Sequence, residues 1–165
     1  TIHYVTYSLV AWCSCWNQLE YVQAVLNCHE NRVHYINMQC KTRFSYVGIP
    51  KRCTPLIGAM TLGTWDVVNC LLEYGANPYL ETENKNTAFM CACMKGRFDN
   101  CQSWIEHFQQ NFDINKKNRL GGTALGFVFF LCTMHSHSPP KKHTQNTHTG
   151  VQFILALIVQ TSLSI

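Results

Sequence analysis

The chain writes one phrase twice, and that most limits what it can become. Residues 54–78 read TPLIGAMTLGTWDVVNCLLEYGANP, and a second Thr, Thr87, opens TAFMCACMKGRFDNCQSWI at a spacing of 33. Self-similarity at a period of 20–50 residues marks a stack of small units, none of which buries its own apolar face. In the first copy Thr54 stands as an N-cap and Pro55 as the first helical residue, where a missing N–H costs nothing. Leu56, Ala59 and Met60 make a short helix, and Gly63 is expected to end it in the left-handed conformation. Val67, Val68, Leu71 and Leu72 share one face of a second helix, which Gly75 stops.

The second copy keeps the offsets. Thr87, Ala92, Gly96 and Asp99 answer Thr54, Ala59, Gly63 and Asp66, and Trp104-Ile105 replaces Leu71-Leu72. Asp66 and Asp99 are read as opening outer helices, where a carboxylate meets the positive helix end. A third copy opens at Thr123-Ala124-Leu125 behind Gly121, three residues late. The extra residues fit in EHFQQNFDIN, with Asn111 in the place of Gly75 because Asn is the next best residue there.

Before Thr54 the pattern thins. Ser8-Leu9-Val10 stands at a repeat start, Cys13 in the inner Ala place and Asn17 in the Gly place. Glu20, Val22 and Val25-Leu26 fall on the outer helix, and Ile36-Asn37 leads into the next loop. About 13 residues are inserted, expected around CHENRVH and QCKTRFSYVGIPKR. After Thr123, LGFVFFLCTM continues an inner helix, in which Phe127, Phe129 and Phe130 are read as core. HSHSPPKKHTQNTH then interrupts, with Pro139-Pro140 forbidding helix, and VQFILALIVQ at 151–160 reads as the displaced outer helix.

This pattern resembles the ankyrin repeat, a helix–turn–helix unit of about 33 residues with a Thr-Pro-Leu-His opening. Thr54-Pro55-Leu56, Ala59, Gly63, Val67-Val68, Leu71-Leu72 and Gly75-Ala76-Asn77-Pro78 carry the match. So do Asp113-Ile114-Asn115 and Gly121-x-Thr123 at a repeat junction. The resemblance implies an all-α solenoid of about four repeats over residues 1–165. A degenerate repeat would occupy 1–53, further repeats would start at 54, 87 and 123, and an insertion would span about 134–150. It also implies a non-catalytic, intracellular (cytoplasmic or nuclear) scaffold that needs no cofactor and holds a protein partner on its finger loops and inner-helix face. The positions that would meet the partner are Trp65, Tyr79, Glu81, Glu83, Asn84, Lys85, Lys116, Asn118 and Arg119.

Several residues depart from the family. Its opening His, which bonds neighbouring loops, is Ile57, Met90 and Gly126 here, so weaker bracing of the loops is expected. Lys85 stands where a turn Gly is usual, and Val128 and Cys132 replace a small residue and a Gly in the last copy.

Composition tests the rival readings. The chain has 165 residues, 47% hydrophobic and only 13% charged. Residues 1–113 hold 8 Lys/Arg against 9 Asp/Glu, net −1, while residues 114–165 hold five cations and no acid. That basic third, with His135, His137, His143 and His148, makes a metal- or nucleic-acid-binding module the rival reading, and a substrate-positioning segment of a larger enzyme is another. Neither a basic recognition helix nor a stacking face stands out. Cys13-x-Cys15 and Cys91-x-Cys93 are tighter than structural zinc pairs. The ten cysteines read as reduced, buried packing residues. No phosphate-binding or nucleophile motif is present. The start at Thr1 and the uncharged run VQFILALIVQTSLSI lead to the expectation of a longer parent chain, whose further repeats cover the last helix.

Overall fold

The structure, a computed structural model, describes residues 2–40, 51–109 and 111–135, together with Gln152, Leu155, Ala156, Ile158 and Val159. Among the described residues eight helices are delimited, in order: α1 (Ile2–Cys15), α2 (Leu19–Asn27), α3 (Arg32–Asn37), α4 (Pro55–Leu62), α5 (Trp65–Glu73), α6 (Ala88–Lys95), α7 (Phe98–Phe108) and α8 (Ala124–His135). Among the described residues there is no strand. Helices α1, α4, α6 and α8 pack successively as an inner row, and α2, α5 and α7 as an outer row. The array is the all-α ankyrin-like solenoid that the repeat predicts.

The recurring Thr has one task. Its hydroxyl oxygen accepts from the amide three residues on: Ile57 for Thr54, Met90 for Thr87 and Gly126 for Thr123, each at 3.2 Å. Each bond satisfies one of the four amides that a helix start leaves without a partner. The α4 segment from Pro55 to Thr61 is buried on every side, as a helix sandwiched between α1 and α6 must be. Leu26, Ile36, Leu56, Ile57, Met60, Leu71 and Met90 are essentially inaccessible and belong to one continuous core, which also includes Ile158.

Some expectations change. Gly63 is not left-handed: its φ is −81°. It is glycine because a Cβ there would come within 2.7 Å of the Ser14 carbonyl oxygen on α1. Gly96 (φ +67°), Gly75 (φ +92°) and Asn17 (φ +58°) do take the left-handed side. After α7 the positive φ falls on Gln109, two residues ahead of Asn111. Ser8 lies inside α1 and starts nothing.

Part of the insertion expected near CHENRVH folds into α3, which buries Tyr35 and Ile36 and lays Arg32 over the Tyr74 ring at 5.8 Å. Ile36 is therefore core, because a helix turns it inward where a loop was expected. Phe127 is half-buried, but Phe129 and Phe130 are exposed. The described residues between 152 and 159 are helical. Of the insertions expected over QCKTRFSYVGIPKR and about 134–150, residues 41–50 and 136–150 lie outside the described residues, while Met134 and His135 still belong to α8.

Candidate protein-binding fingers

Two fingers have the same internal wiring. Thr82 N donates to Asn86 O at 3.0 Å, and Asn118 N to Gly122 O at 2.9 Å. Inside each, the tip amide turns back: Lys85 N to Thr82 O at 2.9 Å and Gly121 N to Asn118 O at 3.1 Å. The tip needs a positive φ, supplied by Arg52 (+59°), Lys85 (+59°) and Gly121 (+79°), each two residues before a capping Thr. Side chains close the loops: Thr82 Oγ1 accepts from Asn86 N at 3.1 Å, and Asn118 Oδ1 accepts from Gly122 N at 2.8 Å.

Neighbouring tips are stitched through their backbones. Glu83 N donates to Lys51 O at 3.0 Å, and Arg119 N donates to Asn84 O at 2.9 Å. Asparagine and tyrosine brace the loops where the family uses its opening His. Asn37 donates to Gly75 O at 3.0 Å and accepts from Asn77 N at 2.7 Å. Tyr79 Oη donates to Asn111 O at 3.2 Å. Ile57 and Met90 are simply core, and bonds between the loops fall to these other residues.

The nine residues singled out from the sequence separate into three groups. Asn84, Lys85 and Arg119 are exposed on the stitched row. Tyr79 is exposed beside it, and Glu83 is half-buried within it. Glu81 and Lys116 pair with each other at 2.5 Å, and Asn118 spends its side chain inside the fingers. Trp65 stands apart: it opens α5, is half-buried against the core and meets the His107 ring edge-on at 5.7 Å. Lys51 and Arg52, one finger earlier, and Leu120, which is 89% exposed, join the row without having stood out in the sequence. The signal for Arg52 was its place two residues before Thr54, the place that Lys85 holds before Thr87.

The exposed charge on this row is mostly positive. Lys51, Arg52, Lys85, Lys117 and Arg119 are all exposed, whereas the Glu81 carboxylate is engaged by Lys116.

The cysteines serve packing. Eight of the nine whose side chains are described are buried, and Cys28 is exposed. Burial pushes the Cys15 and Cys91 thiols up to about 12, away from the ionised form that binds metal or attacks electrophiles. Among the described residues no three His, Cys, Asp or Glu gather as a metal cluster. Of the expected His group, His135 ends α8, and His137, His143 and His148 lie outside the described residues.

A family profile described as ankyrin repeats (3 copies) matches residues 9–118. The chain belongs to the ankyrin repeat family. Ankyrin repeats are generally protein–protein interaction modules, and the family is typically non-enzymatic. No curated protein matches the sequence. Among the described residues no helix is long and apolar enough to cross a membrane. The ankyrin match ends before Thr123, where α8 still stacks on α6 as α6 stacks on α4.

Proposed function

We propose that this ankyrin array is a non-catalytic scaffold whose finger row holds an acidic segment of a partner protein. The observation that carries this is the row itself: five exposed cations and the exposed Leu120 side chain, on tips whose backbones are bonded to one another. Like charges on a braced surface steer an oppositely charged partner and raise its association rate. An exposed apolar side chain on the same row offers the small buried centre on which interfaces depend. Lys85, Arg119 and Asn84 are the contacts kept from the sequence reading, joined by Lys51, Arg52 and Leu120. Tyr79, Glu81, Glu83 and Lys116 form the rim, and Trp65 acts through the outer helices instead. The burial of eight thiols as packing residues supports a reducing compartment, cytoplasm or nucleus.

The test is affinity capture from cell lysate, comparing the wild-type segment with Lys51→Glu/Lys85→Glu/Arg119→Glu and with Leu120→Asp. Circular dichroism first establishes that all three are equally helical. The expected result is a protein captured by the wild type, lost by both variants and released by salt. Equal capture by all three would overturn the finger assignment. Recovery of nucleic acid alone would replace the scaffold with the basic nucleic-acid reading.

A further inference from the structure

The two ends of the array carry the two halves of the contact that holds its layers together. The inner helices share a register, in which Cys13, Ala59, Ala92 and Val128 hold one place in α1, α4, α6 and α8. Past α1 and α6 the chain closes with the same bond counted from that place, Gln18 N to Cys13 O at 2.9 Å and Arg97 N to Ala92 O at 3.0 Å. The residue before the place faces the preceding layer: at Gly58 a Cβ would come within 2.7 Å of Cys15 Sγ on α1. The residue after it lies about 200° further around the helix and faces the following layer. Met60 and Cys93 hold that position and are inaccessible, as α6 stacks on α4 and α8 on α6.

At the ends the same positions are open. Trp12, the counterpart of Gly58, is 50% exposed, with Leu9 and Trp16 exposed on the same face and the Trp16 ring 5.6 Å away. Phe129, the counterpart of Met60 and Cys93, is 63% exposed. Phe130, also exposed, holds in α8 the position from which Cys15 of α1 meets Gly58. Neither α1 nor α8 contains Asp, Glu, Lys or Arg, so no like charge keeps the two faces apart. A ring is accommodated at this kind of junction: Phe127, in the Trp12 position of α8, is half-buried and packs against the core.

We propose that the chain associates with itself head to tail, the α8 face of one copy seating on the α1 face of the next. A second copy is the occupant because one end presents the following side, and the other the preceding side, of a stacking contact that the fold already makes between α1 and α4, α4 and α6, and α6 and α8. Such a contact joins two different surfaces, so it does not close at two copies. It uses the ends of the array and none of the finger cations, and so does not depend on the acidic-partner reading.

The test is sedimentation equilibrium of the whole chain over a micromolar concentration series. The average mass of the wild type is expected to climb past two copies and to persist in salt. Trp12→Asp and Phe129→Asp each alter one end at an exposed side chain, and each alone should associate at least about thirtyfold more weakly, as loss of an interface ring does. Mixed one to one, they should form a dimer and nothing larger, because one intact α8 face meets one intact α1 face. Lys85→Glu/Arg119→Glu should assemble as the wild type does. If circular dichroism shows either Asp variant less helical, Leu9→Lys and Phe130→Lys test the same two ends. A wild type that stays monomeric, an assembly that stops at two copies, single variants that associate as the wild type does, or a mixture that stays monomeric would each overturn the proposal.

Discussion

The side-chain amide of Asn118 donates to the side-chain oxygen of Asn86 at 2.8 Å, joining two successive fingers through their side chains. Asn118 Oδ1 meanwhile accepts from Leu120 N at 3.0 Å and from Gly122 N at 2.8 Å. An Asn118→Ala change removes all three bonds, two of which keep the 118–122 turn closed. It should cost about 2 kcal/mol, read as a lower urea midpoint at unchanged slope. Arg119→Glu, one residue on, should leave the midpoint where it is, because only its backbone takes part in the stitching. If the two variants unfold alike, Asn118 is a surface residue and the wiring described above is wrong.

Asn100 does the corresponding work in the core. It is 1% exposed, and its amide nitrogen reaches Gly63 O at 3.1 Å and Met60 O at 3.2 Å, carbonyls that the end of α4 leaves without helical partners. Arg97 also donates to Gly63 O. Asn100→Ala should lower stability by about 2 kcal/mol. Asn100→Asp should lower it further, since it sets a buried carboxylate against carbonyl oxygens. Thermal melts of the two variants side by side give the ranking, and an Asp variant as stable as wild type would exclude the capping role.

Glycine matters at two positions for opposite reasons. At Gly63 the backbone is ordinary but the space is absent, so Gly63→Ala should cost about 2 kcal/mol by pushing α1 from α4. At Lys85 the space is open but the φ of +59° suits glycine, so Lys85→Gly should gain roughly 0.5 kcal/mol, the relief of a left-handed residue less the entropy glycine adds to the unfolded chain. Denaturant titrations check both signs, and a destabilised Lys85→Gly would mean the tip is not strained.

The buried thiols make stability fall in alkali. Burial raises Cys15 and Cys91 from the usual 9.0 to about 12 and holds Cys53 well above 9.0; Cys93 is also held well above 9.0, chiefly by its hydrogen bond with Cys101 and then by burial. The unfolded chain releases these protons first. Their contribution is fully present below pH 9 and is lost as pH rises from about 9 towards 12, at about 1.4 kcal/mol per pH unit for each thiol. Melting temperature should be flat from pH 7 to 8.5 and drop steeply above 9. In native protein at neutral pH, iodoacetamide should label Cys28 while Cys15, Cys53, Cys91 and Cys93 stay unmodified, as site-resolved mass spectrometry would show. A flat melting curve to pH 11 would mean those thiols are not buried.

The local signals of the array were readable in sequence because they are short in range. A capping Thr, a helix of three apolar residues and a stop are each decided within a dozen residues, and Thr54, Thr87 and Thr123 all perform as read. Contacts between layers were not readable. Nothing local in TLGTW shows that Gly63 faces the Ser14 carbonyl 49 positions earlier, or that Asn100 on α7 turns inward to cap α4. Periodicity missed α3 because RVHYIN has only six residues, too few for a helical period to stand out. Among the finger residues, those defined by an offset from Thr were found in two copies and missed in the first. Asn118 reads in the sequence as a partner contact, because its Asn86 partner lies in the preceding finger and leaves no local sign.

Helix α4 has almost no face in contact with water, and that sets the order in which the molecule comes apart. A segment closed in by neighbours on every side cannot melt by fraying; one of the adjoining layers must leave first. In hydrogen exchange the amides of Ala59 to Thr61 should therefore open only with the whole molecule, while those of α8 open in smaller, earlier events. A surface built across several fingers would then vanish in steps, losing its reach before its centre, and a partner gripping two fingers would act as a clamp on the layers beneath.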